Sequence, residues 1–378
     1  MTRRSINRRG FLNQAFSWIK WVIFGSAFAH LFRNNMGFAS SSMDPRFLET
    51  KQLSLREMAE KKTHHGDGRF LNPFTQVRHG NLWRLIKWKV FSKNEFKAHY
   101  SGDHTKPVRI DWKPIVEHKD CSITFLRHAS VMIKDRESTM LVDPLFDGLF
   151  WLTDYSPLGF DIDEMPSPDH VLITHGHLDH LDVPSISKLN KETHVITPLG
   201  YNSIFKDLGM PSRTQLDWFD SYREGRREIM LLPCNHWTMR NPFVGPNDSL
   251  WGSFLIRTDS GITIFVSGDL AYFDRFGELG EEFSIDLAIF NLGAYEPRWF
   301  MAGSHLNPQE AAKSFRALKA KHLMVVHWGT FRLGDEPVHF PPLDIKSEME
   351  AQGMLDRLIH LDHGQTLFYD GLKNIRIA

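Results

Sequence analysis

The stretch Val171-Leu172-Ile173-Thr174-His175-Gly176-His177-Leu178-Asp179-His180 runs from a short apolar segment straight into histidine and aspartate. The apolar segment has the pattern of a strand buried on both faces. His175 and His177 lie two apart and can point together from an extended turn. Asp179 and His180 continue the same loop and can turn towards a second ion. Gly176 lets the backbone approach closely. Imidazole nitrogen and carboxylate oxygen suit Zn²⁺, and also Fe²⁺ or Mn²⁺. A lone histidine is usually a surface or core residue; so dense a run directly after a buried strand is poorly explained that way.

The same placement recurs along the chain. His236 follows Met230-Leu231-Leu232. Asp269 follows Ile264-Phe265-Val266, after Ser267-Gly268, and His327 follows Met324-Val325-Val326. Side chains at strand ends converge on one edge of a sheet and are held by a rigid scaffold. Asp269 adds a carboxylate that could bridge two ions. Two metals about 3.5–4 Å apart would lower the pKa of a shared water and clamp a developing oxyanion.

Strands and helices alternate around these positions. Ser122 to Ile133 and Met140 to Val142 read as a hairpin ending at Asp143-Pro144. Further strands are expected at His194 to Thr197, Glu228 to Pro233, Leu250 to Arg257, Ile262 to Val266, Leu287 to Phe290, Leu323 to Val326 and Thr366 to Tyr369. Asp182 and Asn307 are placed as caps of helices running to Leu189 and from Pro308 to Ala320. The expected class is α/β with mixed sheets.

The chain has 378 residues, enough for one large domain or two smaller ones. Lys plus Arg equals Asp plus Glu at 45 each, so no global field points to nucleic acid. Twenty His against two Cys favours metal binding over a disulfide framework. Cys121 and Cys234 are expected as buried free thiols.

The first 42 residues read as an export signal or membrane anchor. Arg3, Arg4, Arg8, Arg9 and Lys20 precede any acid, and an apolar stretch from Ala15 to Phe32 leads to small residues. Arg8-Arg9-Gly10-Phe11-Leu12 resembles a twin-arginine signal, which places the protein in the periplasm or at the membrane of a bacterium. The competing reading is a basic amphipathic anchor on the inner membrane. Residues 43–107 form an irregular polar extension, and 108–378 the main domain. Trp83 to Lys89, aromatic and basic, either faces lipid or packs on the domain.

Thr174 to His180 resembles the signature of the metallo-β-lactamase superfamily. Gly68-Arg69-Phe70-Leu71-Asn72-Pro73, Asn235-His236-Trp237, Leu250-Trp251-Gly252-Ser253, Gly293 to Phe300 and His327-Trp328-Gly329-Thr330-Phe331 are similar to its N-acyl-phosphatidylethanolamine-hydrolysing phospholipase D branch. The resemblance implies a four-layer αββα sandwich with metals at one edge. It implies that His175, His177 and His236 hold a first zinc, that Asp179, His180 and His327 hold a second, and that Asp269 bridges them. It implies attack of a metal-bridging hydroxide on a phosphodiester, releasing a phosphatidate and an N-acylethanolamine. Asp179 and Asp269 would thus serve catalysis directly. His305 matches a family histidine near the active site; it either contacts substrate or flanks a helix start. The chain departs from the family at Arg127-His128-Ala129, where many relatives carry Gly-His-Ala. His128 is read as a hydrogen-bonded structural residue. Cys234 either faces the metals or is a small buried side chain, and His363 rivals His327 for the second metal.

The expected partners are a phospholipid substrate and a membrane surface, with a homodimer as the candidate assembly and no nucleic acid. Two other functions stand beside the phospholipase. One keeps the site but acts on a lactone, small ester or cyclic phosphodiester. The other is a non-enzymatic membrane-associated binding protein.

Overall fold

A computed structural model describes residues 50–75, 82–149, 152–241, 243–371 and 374–378. The export-signal reading falls on residues outside these.

Two sheets form the centre. The first contains β1 (Cys121–Arg127), β2 (Ser130–Asp135), β3 (Ser138–Val142), β4 (His170–Leu172), β5 (His194–Pro198) and β6 (Arg213–Leu216). The second contains β7 (Ser221–Glu224), β8 (Arg227–Leu232), β9 (Ser253–Arg257), β10 (Thr263–Val266), β11 (Leu287–Asn291), β12 (His322–Val326) and β13 (Leu358–Ile359). The chain then returns to the first sheet with β14 (Thr366–Asp370) and β15 (Asn374–Ile377). The orders are β15-β14-β1-β2-β3-β4-β5-β6 and β13-β12-β11-β10-β9-β8-β7.

Alternation along the strands explains the layering. Ile123, Phe125, Ile133, Met140, Val142, Leu172 and Ile196 face the second sheet, packing in one core with Ile229, Leu231, Phe254, Ile264 and Ile289. Their neighbours Leu126, Met132, Leu141, Val171 and Val195 point the other way, onto Ile186 and Phe205 of the helices Val183–Ser187 and Asn202–Asp207. On the far face of the second sheet, Phe276, Phe315 and Met349 bring in three more helices. Strands apolar on both faces need cover on both faces, and the result is the expected αββα order. Each fully buried large aliphatic or aromatic side chain contributes about 1.5–3 kcal/mol.

The expected hairpin is a three-stranded meander. The run Ser122 to Ile133 breaks at His128, whose φ is +48°, so β1 and β2 are separate antiparallel strands. The strand expected from Leu250 begins only at Ser253, and the two helices expected to reach Leu189 and Ala320 end at Ser187 and Leu318. Both expected caps are present: Asp182 accepts from Ser185 N, and Asn307 forms a capping box with Glu310. Both cysteines are free and buried.

The extension before residue 108 is built into the fold. Ser54 caps the short helix Leu55–Glu60 with a capping box, and Leu55, Met58 and Ala59 enter the main core. Asp217, between β6 and β7, receives Lys62 Nζ (2.7 Å), His64 Nε2 (2.6 Å) and His65 Nε2 (2.9 Å). His64 also stacks on Trp218, with ring centroids 4.0 Å apart. Burial alone would raise the Asp217 carboxyl, but the hydrogen bonds from His64 and Lys62 outweigh it and hold it below the ordinary carboxylate range. A depressed carboxyl stabilises the fold above its unfolded pKa of about 3.9 and loses that contribution as pH falls further. Asp217→Asn should therefore cost about 1–3 kcal/mol at pH 7. In paired thermal melts the gap from wild type should hold down to about pH 4 and narrow below it; a gap that widened in acid would contradict this ion pair.

Trp88 is buried against Ala294 and Met301, whereas Val90 and Phe91 are 68% and 74% exposed. Part of the aromatic-basic segment thus packs on the domain, and Val90 and Phe91 just past it face outward. Among the described residues no helix is long and apolar enough to cross a membrane.

Candidate metal centre

β3 and β4 run parallel in the first sheet; β10, β11 and β12 run parallel in the second, and β8 shares their direction through antiparallel β9. The loops after β4, β8, β10 and β12 carry His175 to His180, His236, Asp269 and His327, and their side chains meet. Two groups form, in each of which one ligand-type atom per residue lies within 4.8 Å of all the others: His175, His177, His236 and Asp269, and His128, Asp179, His180 and His327.

In the first group His175 Nε2 lies 2.9 Å from His177 Nδ1, which lies 3.4 Å from His236 Nε2. The far side of each outer ring is fixed. His175 Nδ1 meets Thr174 Oγ1 at 3.0 Å, and His236 Nδ1 meets the Ser304 carbonyl at 3.1 Å. In the second group His327 Nε2 lies 3.6 Å from Asp179 Oδ2, and His180 Nε2 lies 3.7 Å from the same oxygen. Asp269 stands between the groups. Its Oδ2 is 3.2 Å from His180 Nε2 and 3.9 Å from His175 Nε2, and its Oδ1 is 3.4 Å from His327 Nε2.

This arrangement fits divalent cations. Among the described residues, the buried His180 Nε2 and His327 Nε2 approach carboxylates but make no well-aligned hydrogen bond, an expensive state for ring nitrogens without a ligand. Burial, helped by neighbouring histidines, holds His175 well below the ordinary histidine pKa, in the neutral form that a metal needs. Burial opposes charge on His180, but Asp269 and Asp179 outweigh it and lift its pKa well above the ordinary value. Burial would likewise raise Asp179 and Asp269, yet the surrounding histidines hold both carboxyls well down. The pocket is rich in carboxylate charge that calls for a cation.

The supporting contacts were only partly visible in the sequence. Asp143, one residue past β3, accepts from Thr174 N (2.8 Å), Thr174 Oγ1 (2.6 Å) and His180 Nδ1 (2.8 Å). It obeys the same strand-end rule that picked out the others, and that rule could have found it. Asn291, the last residue of β11, donates to Asp269 Oδ1 at 2.9 Å. His128 is buried, with Nε2 3.1 Å from Asp179 Oδ2 and its carbonyl accepting from His327 N at 2.6 Å. It lies among the ligand-type atoms of the second group as well as in this hydrogen-bonding place. Three residues here hold positive φ without being glycine: His128 (48°), Asp143 (42°) and His327 (70°). Backbone strain collected at a site is a mark of function. Gly268 holds φ +59° with Thr174 Cβ only 2.8 Å from where its own Cβ would stand, so β10 can deliver Asp269 only through glycine.

The remaining candidates sort out by position. His305 Nδ1 is 3.8 Å from Asp269 Oδ2, at the rim of the centre. His363 lies behind the site, with Nε2 3.0 Å from the Trp328 carbonyl, and is in neither group. Cys234 is a buried thiol beneath the loop, its Sγ 4.0 Å from the Asp269 carbonyl, with burial pushing its pKa up. Arg127 is fully buried; it pairs with Asp154 at 2.8 Å and lies over the Phe331 ring. The His64, His65 and Asp217 grouping also has ligand-like spacing, but Lys62 already supplies its positive charge.

Residues 138–328 match the Beta-lactamase superfamily domain. The chain belongs to this superfamily, as a metallo-hydrolase of the metallo-β-lactamase fold. Within it, the chain resembles the N-acyl-phosphatidylethanolamine-hydrolysing phospholipase D branch. It is 30% identical over 294 residues to N-acyl-phosphatidylethanolamine-hydrolyzing phospholipase D 1 of Caenorhabditis elegans, covering 72% of this chain and 82% of that one. It is 31% identical to the mitochondrial protein of the same name from Saccharomyces cerevisiae, covering 61% of this chain and 52% of that one. The fold is shared with the isothiocyanate hydrolase from Delia radicum gut bacteria (TM-score 0.55, 14% identity, 66% and 99% covered). It is shared also with Igni18, a metallo hydrolase from Ignicoccus hospitalis (TM-score 0.51, 17% identity, 65% and 97% covered).

Proposed function

We propose that this chain is a two-zinc phosphodiesterase of the phospholipase D type, cleaving N-acyl-phosphatidylethanolamine or a related phospholipid. The observation that carries it is Asp269, placed between two histidine-rich groups so that its oxygens serve both. The substrate class rests on the similarity to the two N-acyl-phosphatidylethanolamine-hydrolysing relatives. His175, His177 and His236 would hold one ion, and Asp179, His180 and His327 the other. The ions, when bound, would lower the pKa of a water and neutralise charge on the phosphoryl oxygens.

The chain's own residues position and exclude. Asn291 orients Asp269, and His128 orients Asp179, so neither carboxylate swings when charge develops. His305 is kept neutral by burial, its pKa lowered to about 4. A neutral imidazole at the rim can donate a hydrogen bond to a phosphoryl oxygen or to the departing alkoxide, whose proton comes from the attacking water. Water adds across the P–O bond, and an N-acylethanolamine and a phosphatidate leave.

A membrane-surface partner is supported by Val90 and Phe91, exposed beside Lys87, Lys89 and Lys93. Export rests on the basic residues before any acid, the apolar stretch from Ala15 to Phe32 and the run Arg8-Arg9-Gly10-Phe11-Leu12. Cell fractionation checks it: the protein belongs in the periplasmic or membrane fraction, and a purely cytoplasmic protein would contradict export.

Zinc-loaded protein should release N-acylethanolamine from N-acyl-phosphatidylethanolamine vesicles, and a chelator should stop the release. A panel of lactones, small esters and cyclic phosphodiesters is the counter-test. Turnover of that panel without phospholipid cleavage would move the substrate and keep the site. Zinc bound with no turnover of anything would favour a binding protein.

A further inference from the structure

We propose that the N-terminal extension is a working part of the metal centre, and that Asn72 is a positioning residue for His236. This rests on the reading of His236 as a ligand of the first metal.

Between the end of β8 at Leu232 and the start of β9 at Ser253 the described residues form no strand. Buried carbonyls in such a loop need donors from elsewhere. Asn72 supplies one. Its Nδ2 donates to the His236 carbonyl at 2.7 Å and to Asn235 Oδ1 at 2.9 Å. Its Oδ1 accepts from Phe74 N at 2.9 Å, which folds the extension back on itself and aims the amide. Asn235 in turn accepts from Ala271 N at 2.8 Å, two residues past Asp269. The grip of Asn72 therefore reaches both the loop of the first metal and the loop of the bridging carboxylate.

A second line runs from the extension to the histidine run. Phe70 N donates to the Asn247 carbonyl at 2.8 Å, and Asn247 Oδ1 accepts from Thr238 N at 3.0 Å. Thr238 Oγ1 accepts from Gly176 N at 2.9 Å, between His175 and His177. A side chain at Gly176 would meet Thr238 Oγ1 at 2.9 Å, so this approach depends on glycine. Through these bonds one short segment outside the sheets ties together the loops that carry all three ligands of the first pole. The second pole, Asp179, His180 and His327, takes its support from Asp143 and His128 instead.

Changes at Asn72 should act on the first metal site and spare the second. Asn72→Asp keeps the shape and the acceptor for Phe74 N, but sets a carboxylate oxygen against the His236 carbonyl. Zinc binding to the full chain, measured by competition with a chromophoric chelator, should show first-site affinity lowered about 10–100-fold with the other site kept. Asn72→Ala should fall in the same direction and less far. Lys62→Ala loosens the extension at Asp217 without touching His236; it should lower the melting temperature of the metal-free chain and leave zinc affinity as in wild type. Asn72→Asp binding zinc like wild type, or Lys62→Ala weakening zinc as much as Asn72→Asp does, would overturn the proposal. Wild-type protein that takes up no zinc would overturn the reading of His236 beneath it.

Discussion

Asp269→Ala should abolish turnover and strip most of the bound metal. The Asp269 oxygens lie within 4 Å of ring nitrogens from both groups: 3.9 Å from His175, 3.2 Å from His180 and 3.4 Å from His327. Its loss would remove a ligand from each of the two proposed ions and the charge that would hold them together. Several kcal/mol of transition-state stabilisation should go, which at about 1.4 kcal/mol per decade is roughly 10³-fold or more in kcat/KM. Asp179→Ala should behave differently. Its carboxylate serves only the second group, so one ion should leave more readily than the other. Metal content and steady-state kinetics on both variants check this. Asp269→Ala retaining wild-type metal would remove the bridge from the account.

Asp143→Ala should be the most damaging change at a residue outside the proposed ligand set. Three donors end on this fully buried carboxylate: Thr174 N, Thr174 Oγ1 and His180 Nδ1. Each donor left unsatisfied in the interior costs about 1–3 kcal/mol. The imidazole of His180 would also lose the partner that fixes its tautomer and ring orientation, worth about 10–100-fold in metal affinity. Asp143→Asn should be milder in stability, since asparagine tolerates the φ of +42° and retains one acceptor, but it should still weaken metal binding. Chemical denaturation and zinc competition on the pair separate the two effects. Wild-type stability in Asp143→Ala would mean that this carboxylate does not organise the site.

The central strands and their ends were legible because burial on both faces writes continuous apolar runs, and because function sits where those runs stop. The edges were not legible. β6, β7 and β15 lie at or near sheet margins with partly or fully exposed residues, so Arg213–Leu216, Ser221–Glu224 and Asn374–Ile377 carry little apolar pattern. The helix Phe340–Ala351 opens on Pro341-Pro342, which reads as a breaker although proline suits a first turn. The turn at His128 has no glycine, asparagine or proline to announce it, so β1 and β2 ran together. Asp143 was visible only as the end of a strand, and Asn72 only as part of a family-like run. Their roles depend on partners 31 and 37 residues away for Asp143 and 163 and 164 for Asn72, which no local pattern encodes.

The metal content of the folded protein tests the two-ion centre most directly. Elemental analysis of the purified full chain should find about two divalent transition-metal ions per chain, falling on Asp269→Ala. A folded wild-type protein that binds none, even after incubation with zinc, would contradict it.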